Sequence, residues 1–312
     1  IGRGTAIAVC MLIMAVLATA VVNKVFAYIN RNDQRRRNMR SKVKISVLIK
    51  YLVLCSVALI MLYPLFWVFL SSLKENNEIF SRPFSFPLNP KWDNYSTAWE
   101  AADVPLHMLN TVIYAICSVA GVTIASAMTS YVIARIEKGR KIYHYYSLGI
   151  MIPINAIIIP FILIFRKIGI LNTRIGIILA FIVTNLAFSI FILTPFMESI
   201  PKELEEAAKI DGCNRVQIFW KIILPISKSG LATVATFVLI NSWNDLFLSL
   251  LIISKQSLIT LNQVCYNMKA QYVADYGLIS AAIIILVLPV IVLFVVFQKQ
   301  VIKGMTAGSV KG

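Results

Sequence analysis

The sequence predicts an all-α membrane protein, a polytopic bundle of transmembrane helices, and three observations lead to this fold class. Of the 312 residues, 59% are hydrophobic and only 14% are charged, with a mean hydropathy of +0.78; a soluble domain keeps about a quarter of its residues charged. The apolar residues form runs long enough to cross about 30 Å of hydrocarbon as helices. The net charge of +16 lies at the ends of those runs, which indicates membrane topology and excludes a nucleic-acid-binding domain.

Seven apolar runs qualify as spans, and each is predicted to be helical because a single span must satisfy its own backbone hydrogen bonds in lipid. The runs cover residues 5–29, 45–70, 106–134, 145–165, 175–196, 229–253 and 278–298. Two prolines within the fourth run, Pro153 and Pro160, predict a kink that specifies no ligand.

The first run is predicted to be an extra span rather than a cleaved leader. Ala18-Thr19-Ala20 has the small-x-small form of a signal-peptidase site, but the basic cluster follows the run, as in a stop-transfer anchor. Met39 resembles a fresh start of translation. We therefore expect two domains, an extra span with a basic tail at residues 1–38 and the main bundle at residues 39–312.

Lys and Arg outside the apolar runs divide unevenly between the two sides of the predicted membrane, with 20 on one side and 9 on the other. Cytoplasmic loops carry the excess of these residues. The cytoplasmic segments are therefore expected to be the 30–44 linker, the 135–144 loop, the 197–228 loop and the C-terminus. The segments outside are then the 71–105 loop, the 166–174 turn and the 254–277 loop. Between Ser81 and Trp99 the outer loop is too rich in proline for a long helix.

The 197–228 loop is unusually polar for this chain and predicts two short helices that meet at a glycine elbow. Glu203 and Glu205 favour the positive N-terminus of the first helix, and Gly212 is a left-handed stop that ends it. Asn214 can cap the second helix, with Gln217 three residues on. Along the second helix, apolar residues recur at helical spacing before Pro225 breaks it: Val216, Phe219, Trp220 and Ile223.

The first of these helices carries a predicted docking surface. Leu204, Ala207 and Ala208 form a stripe of small side chains beside Glu206, where the backbone of another protein can approach closely. The alternative is an amphipathic loop that lies on the membrane surface, because basic and aromatic residues also suit a membrane interface.

The same loop carries seven residues in the register E-A-A-x3-G-x9-I-x-L-P, namely Glu206, Ala207, Ala208, Gly212, Ile222, Leu224 and Pro225. The pattern resembles the signature of importer-type ABC transporter permeases. Flanking motifs, among them Ser242-Trp243-Asn244-Asp245, resemble the carbohydrate branch of that family, the maltose-type permeases. The resemblance covers roughly residues 45–312. Two segments outside the signature depart from the family pattern, Ser130-Tyr131-Val132 and Ser227-Lys228-Ser229-Gly230.

The resemblance implies a six-helix permease core in the plasma membrane of a prokaryote, which conducts a sugar or oligosaccharide. It implies four kinds of partner besides membrane lipid: a homologous sister permease, two ABC ATPase subunits, an extracytoplasmic sugar-binding protein and the carbohydrate itself. Residues 1–38 resemble the last helix and tail of such a sister permease, or a fusion. The residues expected to couple the permease to an ATPase are Glu206, Ala207, Ala208, Asp211, Gly212, Ile222, Leu224 and Pro225.

The chain has no G-x-x-x-x-G-K-[ST] phosphate loop, so it cannot cradle ATP in that manner. We therefore expect a transport subunit and not an enzyme. ATP and Mg²⁺ are expected on the partner ATPase subunits, and no cofactor or metal is expected in this chain.

Polar residues within the apolar runs are candidates for the substrate path, because unpaired polar groups that face lipid are costly. These candidates are Asn155, Asn185, Asn241, Trp243, Asn244 and Asp245. Asn241, Asn244 and Asp245 lie at i, i+3 and i+4, and are predicted to share one helix face. Other roles stay open: Asp245 can lie near the end of its span or bond a neighbouring helix, and Trp243 can pack rather than stack on a sugar. The asparagines can also be interhelical hydrogen-bond partners.

Two further function classes remain open from the residues alone. An ion-driven secondary transporter usually uses several intramembrane acids, and Asp245 is the one candidate in these runs. An integral membrane enzyme needs a constellation of His, Cys or acidic residues at a span. The two histidines and five cysteines of this chain are scattered singly, which favours neither class.

Overall fold

The computed structural model describes residues 40–271 and 275–307, and every regular element within these ranges is helical. The predicted span at 5–29 and the domain at 1–38 lie outside the described residues. The chain divides into two compact units, Ile1–Lys91 and Trp92–Gly312. Three described helices are long and apolar enough to cross a membrane, or up to five if each of two bent helix pairs is one span.

The described residues of the first unit, 40–91, form a long apolar helix and a proline-rich loop that folds back on its end. Helix α1 is Arg40–Ser72, and the short α2 is Asn76–Ser81. The indole Nε1 of Trp67 donates to the carbonyl of Pro83 at 2.8 Å, and the buried Lys74 donates through Nζ to the carbonyl of Arg82 at 2.9 Å. These bonds fix residues 82–91 without regular structure, as their proline content predicts.

The second unit contains the remaining helices. They are α3 (Asp93–Ala101), α4 (Val104–Arg135), α5 (Gly139–Met151), α6 (Ile154–Lys167), α7 (Arg174–Glu198), α8 (Glu203–Ile210), α9 (Arg215–Ile218), α10 (Leu224–Ile226), α11 (Lys228–Asn244), α12 (Phe247–Ile252), α13 (Leu261–Gln271) and α14 (Tyr276–Ala307). A π-helical turn, Phe219–Ile223, connects α9 to α10. The predicted spans at 45–70, 106–134, 175–196 and 278–298 correspond to α1, α4, α7 and α14.

Two predicted spans are not continuous helices, and the first of these interruptions has a local cause. The run at 145–165 is split into α5 and α6, which meet at an angle of 97°. Ile152 and Pro153 are both extended at this break. The residue before a proline is biased away from helix, and proline itself has no N–H to donate. The run at 229–253 is interrupted after Asn244, where Asp245 is extended and α12 begins only at Phe247.

Helices α4 and α7 pack along one another and form the centre of the unit. Small side chains allow this close approach: Thr194 on α7 donates to the hydroxyl of Ser130 on α4 at 3.2 Å, and Gly121 on α4 lies under Ile182. Buried apolar residues gather in two clusters, one of which contains the inner residues of α8, the π turn and α11. The other lies toward the first residues of α4 and includes α13 and the start of α14.

At the end of the unit that contains the first residues of α4, buried polar side chains of this helix hold the loop between α12 and α13. Tyr114 donates to the carbonyl of Leu258 at 2.8 Å, and Asn110 donates to that of Ser257 at 3.0 Å. Thr111 accepts the N–H of Leu261 at 3.0 Å. The loop is thus tied to α4 by directional bonds, far from the end of α4 that meets α8.

Candidate functional site

The glycine elbow between α8 and α9 is built by local backbone rules. Gly212 has a φ of 81° and donates its N–H to the carbonyl of Lys209 at 3.0 Å, while Cys213 donates to Ala208 at 2.9 Å. These two bonds form a Schellman motif, in which a glycine in the left-handed region closes a helix. The predicted stop at Gly212 is therefore confirmed.

Beyond the glycine, Asn214 begins the next helix as predicted. Its side chain accepts the N–H of Gln217 at 2.8 Å, and the side chain of Gln217 accepts the N–H of Asn214 at 2.9 Å. This reciprocal capping box satisfies two donors at a helix N-terminus. Pro201 lies two residues before α8, which begins at Glu203.

The outer face of the elbow is apolar and acidic. Leu204, Ala207 and Ile210 are exposed, the last at 87%, and Glu206 and Asp211 are exposed beside them. Ala208 is buried against the bundle, so the predicted docking stripe is narrower than expected and consists of Leu204 and Ala207. Successive residues of a helix are about 100° apart around its axis, so Ala208 turns toward the bundle while Ala207 turns away from it.

The residues that are buried on the inner face of the elbow are only in part those of the predicted apolar stripe. Ile218, Phe219 and Ile223 are buried, whereas Val216 and Trp220 are exposed. The segment Phe219–Ile223 is a π turn instead of the regular α-helix that the spacing assumed, and its wider turn shifts the register of the side chains that follow it. Of the signature residues, Ile222 and Leu224 are half-buried and Pro225 is exposed. Pro225 lies within α10, and the bend of 77° comes two residues later at Ser227.

An acidic residue that the sequence assigned to the helix dipole has a different partner in the structure. Glu205 is buried and forms an ion pair with Arg135, the last residue of α4, while the hydroxyl of Tyr131 donates to its second oxygen at 2.9 Å. The sequence offers no signal for this contact, because 70 residues separate the two charges.

The second candidate site is the polar break at the end of α11. The prediction that Asn241, Asn244 and Asp245 share one helix face is wrong for Asp245, because α11 ends at Asn244. The carboxylate of Asp245 instead accepts the N–H of Ser249 at 3.0 Å and that of Leu248 at 3.3 Å. Asp245 thus caps α12, which corresponds to the structural role left open for it.

The asparagines at the break occupy different environments. Asn241 donates through Nδ2 to Oδ1 of the buried Asn185 at 3.0 Å, which joins α11 to α7. Asn244 is exposed, and Asn155 is exposed on α6 near the other break. The structure therefore brings Asn185 and Asn241 together as an interhelical pair and does not bring Asn155 to them within any described contact.

Trp243 is buried, and its indole N–H has no hydrogen-bond partner among the described residues. Its carbonyl accepts a bond of 2.7 Å from Nδ2 of Asn262 on α13, and the same nitrogen lies 3.3 Å from the carbonyl of Asp245. Asn262, which sequence reasoning missed, therefore satisfies the last carbonyls of α11 where the helix is interrupted.

The comparisons with known proteins agree with this architecture. Residues 139–307 match the family described as binding-protein-dependent transport system inner membrane component. The diacetylchitobiose uptake system permease protein NgcG of Streptomyces coelicolor is 35% identical over 262 residues, which cover 83% of this chain and 86% of that protein. The multiple sugar-binding transport system permease protein MsmG of Streptococcus mutans is 32% identical over 279 residues, covering 88% of this chain and 100% of that protein.

A solved structure is similar as well. It is the crystal structure of a bacterial ABC transporter involved in the import of the acidic polysaccharide alginate, with a TM-score of 0.72 and 27% sequence identity. The match covers 85% of this chain and 99% of that one.

Proposed function

This chain belongs to the family of binding-protein-dependent transport system inner membrane components, and we propose that within it the chain is the permease subunit of a carbohydrate ABC importer. Curated relatives that align over most of both chains are named as sugar permeases, which supports a sugar or oligosaccharide as the substrate. The family description supports an extracytoplasmic binding protein as a partner. A homologous sister permease and two ATPase subunits complete the proposed assembly.

The observation that carries the proposal is the elbow, which is closed by a Schellman motif and presents an apolar face flanked by acids. Leu204 and Ala207 leave room for a close approach by a cleft on an ATPase subunit, and Glu206 would pair with a basic group there. Asp211 and Gly212 form the tip. The buried Ala208 seats the elbow on the bundle, and Ile222, Leu224 and Pro225 connect it to α11.

In the proposed mechanism, ATP and Mg²⁺ bind to the partner subunits, whose closure moves the elbow. The elbow is packed against α4, α7 and α11 through a buried apolar cluster. Packed cores are bistable rather than continuously deformable, so a displacement of the elbow favours a second arrangement of the helices. The bundle would alternate in this way between inward-open and outward-open states.

The polar break would be the part of this chain that the sugar meets. Amide side chains both donate and accept hydrogen bonds, which suits the hydroxyl groups of a sugar. The exposed Asn244 and Asn155 are free to face such a path, and Asn241, which is also exposed, can offer its remaining amide groups while bonded to Asn185. Asp245 and Trp243 would support the path by shaping the break, since the first caps α12 and the second is buried.

The positive-inside excess places the elbow and the C-terminus in the cytoplasm, where ATPase subunits reside. The Leu258 loop held by α4 would then face outward, toward the binding protein. This orientation stands on the Lys and Arg distribution and on the proposed contact with an ATPase.

The proposal is tested by purifying the chain from detergent-solubilised membranes of its host and identifying co-purified proteins by mass spectrometry. An ATPase subunit with a phosphate loop is expected to co-purify with the wild type. Glu206→Lys is expected to lower its recovery about tenfold or more, because a like charge is placed against the partner's basic group. The matched control is Glu137→Lys, an exposed acid in the turn between α4 and α5. Equal recovery of the ATPase with both variants would refute the assignment of the elbow.

A further inference from the structure

A single guanidinium joins three elements at the elbow end of the bundle. Arg135, at the end of α4, forms the ion pair with Glu205 of α8 through Nε. Its Nη1 donates to the carbonyl of Met197 at 3.3 Å, and its Nη2 donates to the carbonyl of Ile200 at 3.2 Å. Met197 lies in the last turn of α7 and Ile200 just beyond it. The side chain thus connects α4, the end of α7 and α8.

Tyr131, one turn before Arg135 on α4, extends this connection to the second half of the elbow. Its hydroxyl donates to Glu205 at 2.9 Å, and its ring lies 5.5 Å from the ring of Phe219 in the π turn. The guanidinium carbon of Arg135 lies 5.8 Å from the centre of the Tyr131 ring. We call Arg135, Glu205 and Tyr131 the elbow joint.

The elbow joint is shielded from water. The side chains of Arg135 and Glu205 are 14% and 9% exposed. Partial burial strengthens charged hydrogen bonds, and the planar fork of an arginine fixes the direction of several bonds at once. The other buried contacts of the elbow, at Ala208, Ile218 and Phe219, are apolar. Apolar contacts are non-directional, so surfaces held by them alone can slide.

We propose that Arg135 and Glu205 are positioning residues for energy coupling: the elbow joint passes the displacement of α8 to α4 and to the end of α7. The inference rests on the proposed function of the elbow and goes further, because it assigns the transmission to a particular ion pair inside the bundle. Neither residue lies at the polar break or on the exposed docking face. Without the joint, α8 can still be pulled by a partner while α4 and α7 stay behind.

The experiment measures the number of sugar molecules moved per ATP hydrolysed by the complete importer in proteoliposomes. The sugar is the member of a radiolabelled oligosaccharide panel, beginning with diacetylchitobiose, that the wild type transports fastest. Arg135→Met and Glu205→Met are expected to lower the ratio by about 2- to 30-fold, the range of couplings carried by single residues between distant sites. The matched controls are Arg140→Met and Glu137→Met, exposed charges at the same end of the bundle, which leave the ratio unchanged.

The double variant Arg135→Met with Glu205→Met separates positioning from folding. Each single variant leaves one buried charge unpaired, whereas the double variant removes both charges and is expected to be more stable than either. Its ratio of sugar to ATP is nevertheless expected to stay as low as in the worse single variant, since all three lack the same contact. Recovery of the wild-type ratio in the double variant would overturn the proposal, because only stability would then have been lost.

Tyr131→Phe keeps the experiment decisive if the Arg135→Met and Glu205→Met variants do not insert into the membrane. It removes one hydrogen bond to Glu205 and keeps the ring against Phe219, so the ratio is expected to fall by about twofold, and an unchanged ratio would count against the joint. The two proposals also fail differently. If the elbow does not bind an ATPase, Glu206→Lys leaves the recovery of the ATPase subunit unchanged, whereas a failed joint leaves assembly, hydrolysis and coupling of the Arg135 and Glu205 variants all at the wild-type level.

Discussion

The elbow and the polar break are both interruptions of helix close to α11, yet they are stabilised in different ways. At the elbow, Gly212 and the Asn214 capping box satisfy the helix ends with groups three to five residues apart. At the break, the carbonyls of Trp243 and Asp245 are satisfied by Asn262, which belongs to another helix. The first interruption is therefore local in origin, and the second depends on tertiary contacts.

This difference accounts for which predictions succeeded. A left-handed glycine and a capping asparagine bond only to groups a few residues away in sequence, so the stop and the cap could be predicted from spacing. A helical face is a different kind of prediction, because it assumes that the helix continues. Asn241, Asn244 and Asp245 share a face in a continuous helix, and the interruption after Asn244 removes that premise.

The largest expected effect comes from breaking the local interruption. Gly212→Pro is expected to abolish ATPase binding and to lower uptake by at least about 100-fold, because proline fixes φ near −65° and removes the N–H bonded to Lys209. Gly169 is a matched control at the turn between α6 and α7, with a φ of 73° and its own N–H bonded to Arg166 at 3.1 Å.

Gly169→Pro is therefore expected to destabilise the protein to a similar extent while leaving ATPase binding intact. Co-purification and the thermal midpoint in detergent measure the two properties separately. If Gly212→Pro and Gly169→Pro bound the ATPase equally well, the elbow would have no specific role in ATPase binding.

Two variants with intermediate expected effects distinguish the capping role of Asp245 from the substrate-path role proposed for Asn244. Asp245→Leu is expected to destabilise the bundle by about 1 to 2 kcal/mol, because α12 loses the carboxylate that accepts two of its N–H groups. Asn244→Leu, at an exposed position, is expected to leave the thermal midpoint unchanged. Its uptake falls by about fivefold if one hydrogen bond of about 1 kcal/mol to the sugar is lost.

Asp245→Asn is the control for the cap, since an amide oxygen can still accept the N–H of Ser249. Its thermal midpoint is expected to lie close to that of the wild type. A fall in stability with Asn244→Leu, together with normal uptake, would show that this residue supports packing and does not meet the substrate.

The smallest expected effect concerns the reactivity of one thiol on the helix that stabilises the break. Burial raises the pKa of Cys265, on α13, to about 11. Because a raised pKa lowers the thiolate fraction at any given pH, about one thiol in a thousand is ionised at pH 8. In a variant that retains Cys265 as its one cysteine, alkylation by iodoacetamide is expected to be slow at pH 8 and to rise about tenfold per pH unit up to pH 10.

A variant that retains only Cys213, beside Gly212 on the elbow, serves as the comparison. Both thiols are half-buried, so a difference between their pH profiles reports the surroundings of the thiol and not gross exposure. A plateau for Cys265 below pH 9 would mean that α13 is less tightly packed at the break than the structure describes.

The candidate site was predicted in part from the sequence, and its residues show why. Glu206, Ala207 and Gly212 lie on the outer face of the elbow because α8 has a regular turn and a local stop. Ala208 and Glu205 face inward, which no pattern of small or acidic residues determines in a helix of eight residues. Phe219 is buried and Trp220 is exposed within a π turn, which the apolar spacing of the sequence does not predict.

The sequence by itself determined the class of the molecule and the helix ends that proline and glycine impose, at Pro153 and at Gly212. Runs of about 20 apolar residues must be helical in lipid, since each has to satisfy its own backbone groups, and proline and glycine mark the interruptions. The tertiary structure alone decided which polar groups meet. The bond of Asn241 to Asn185 and the ion pair of Arg135 with Glu205 join residues 56 and 70 positions apart, and contacts at such separations depend on how helices pack, which no local pattern of residues contains.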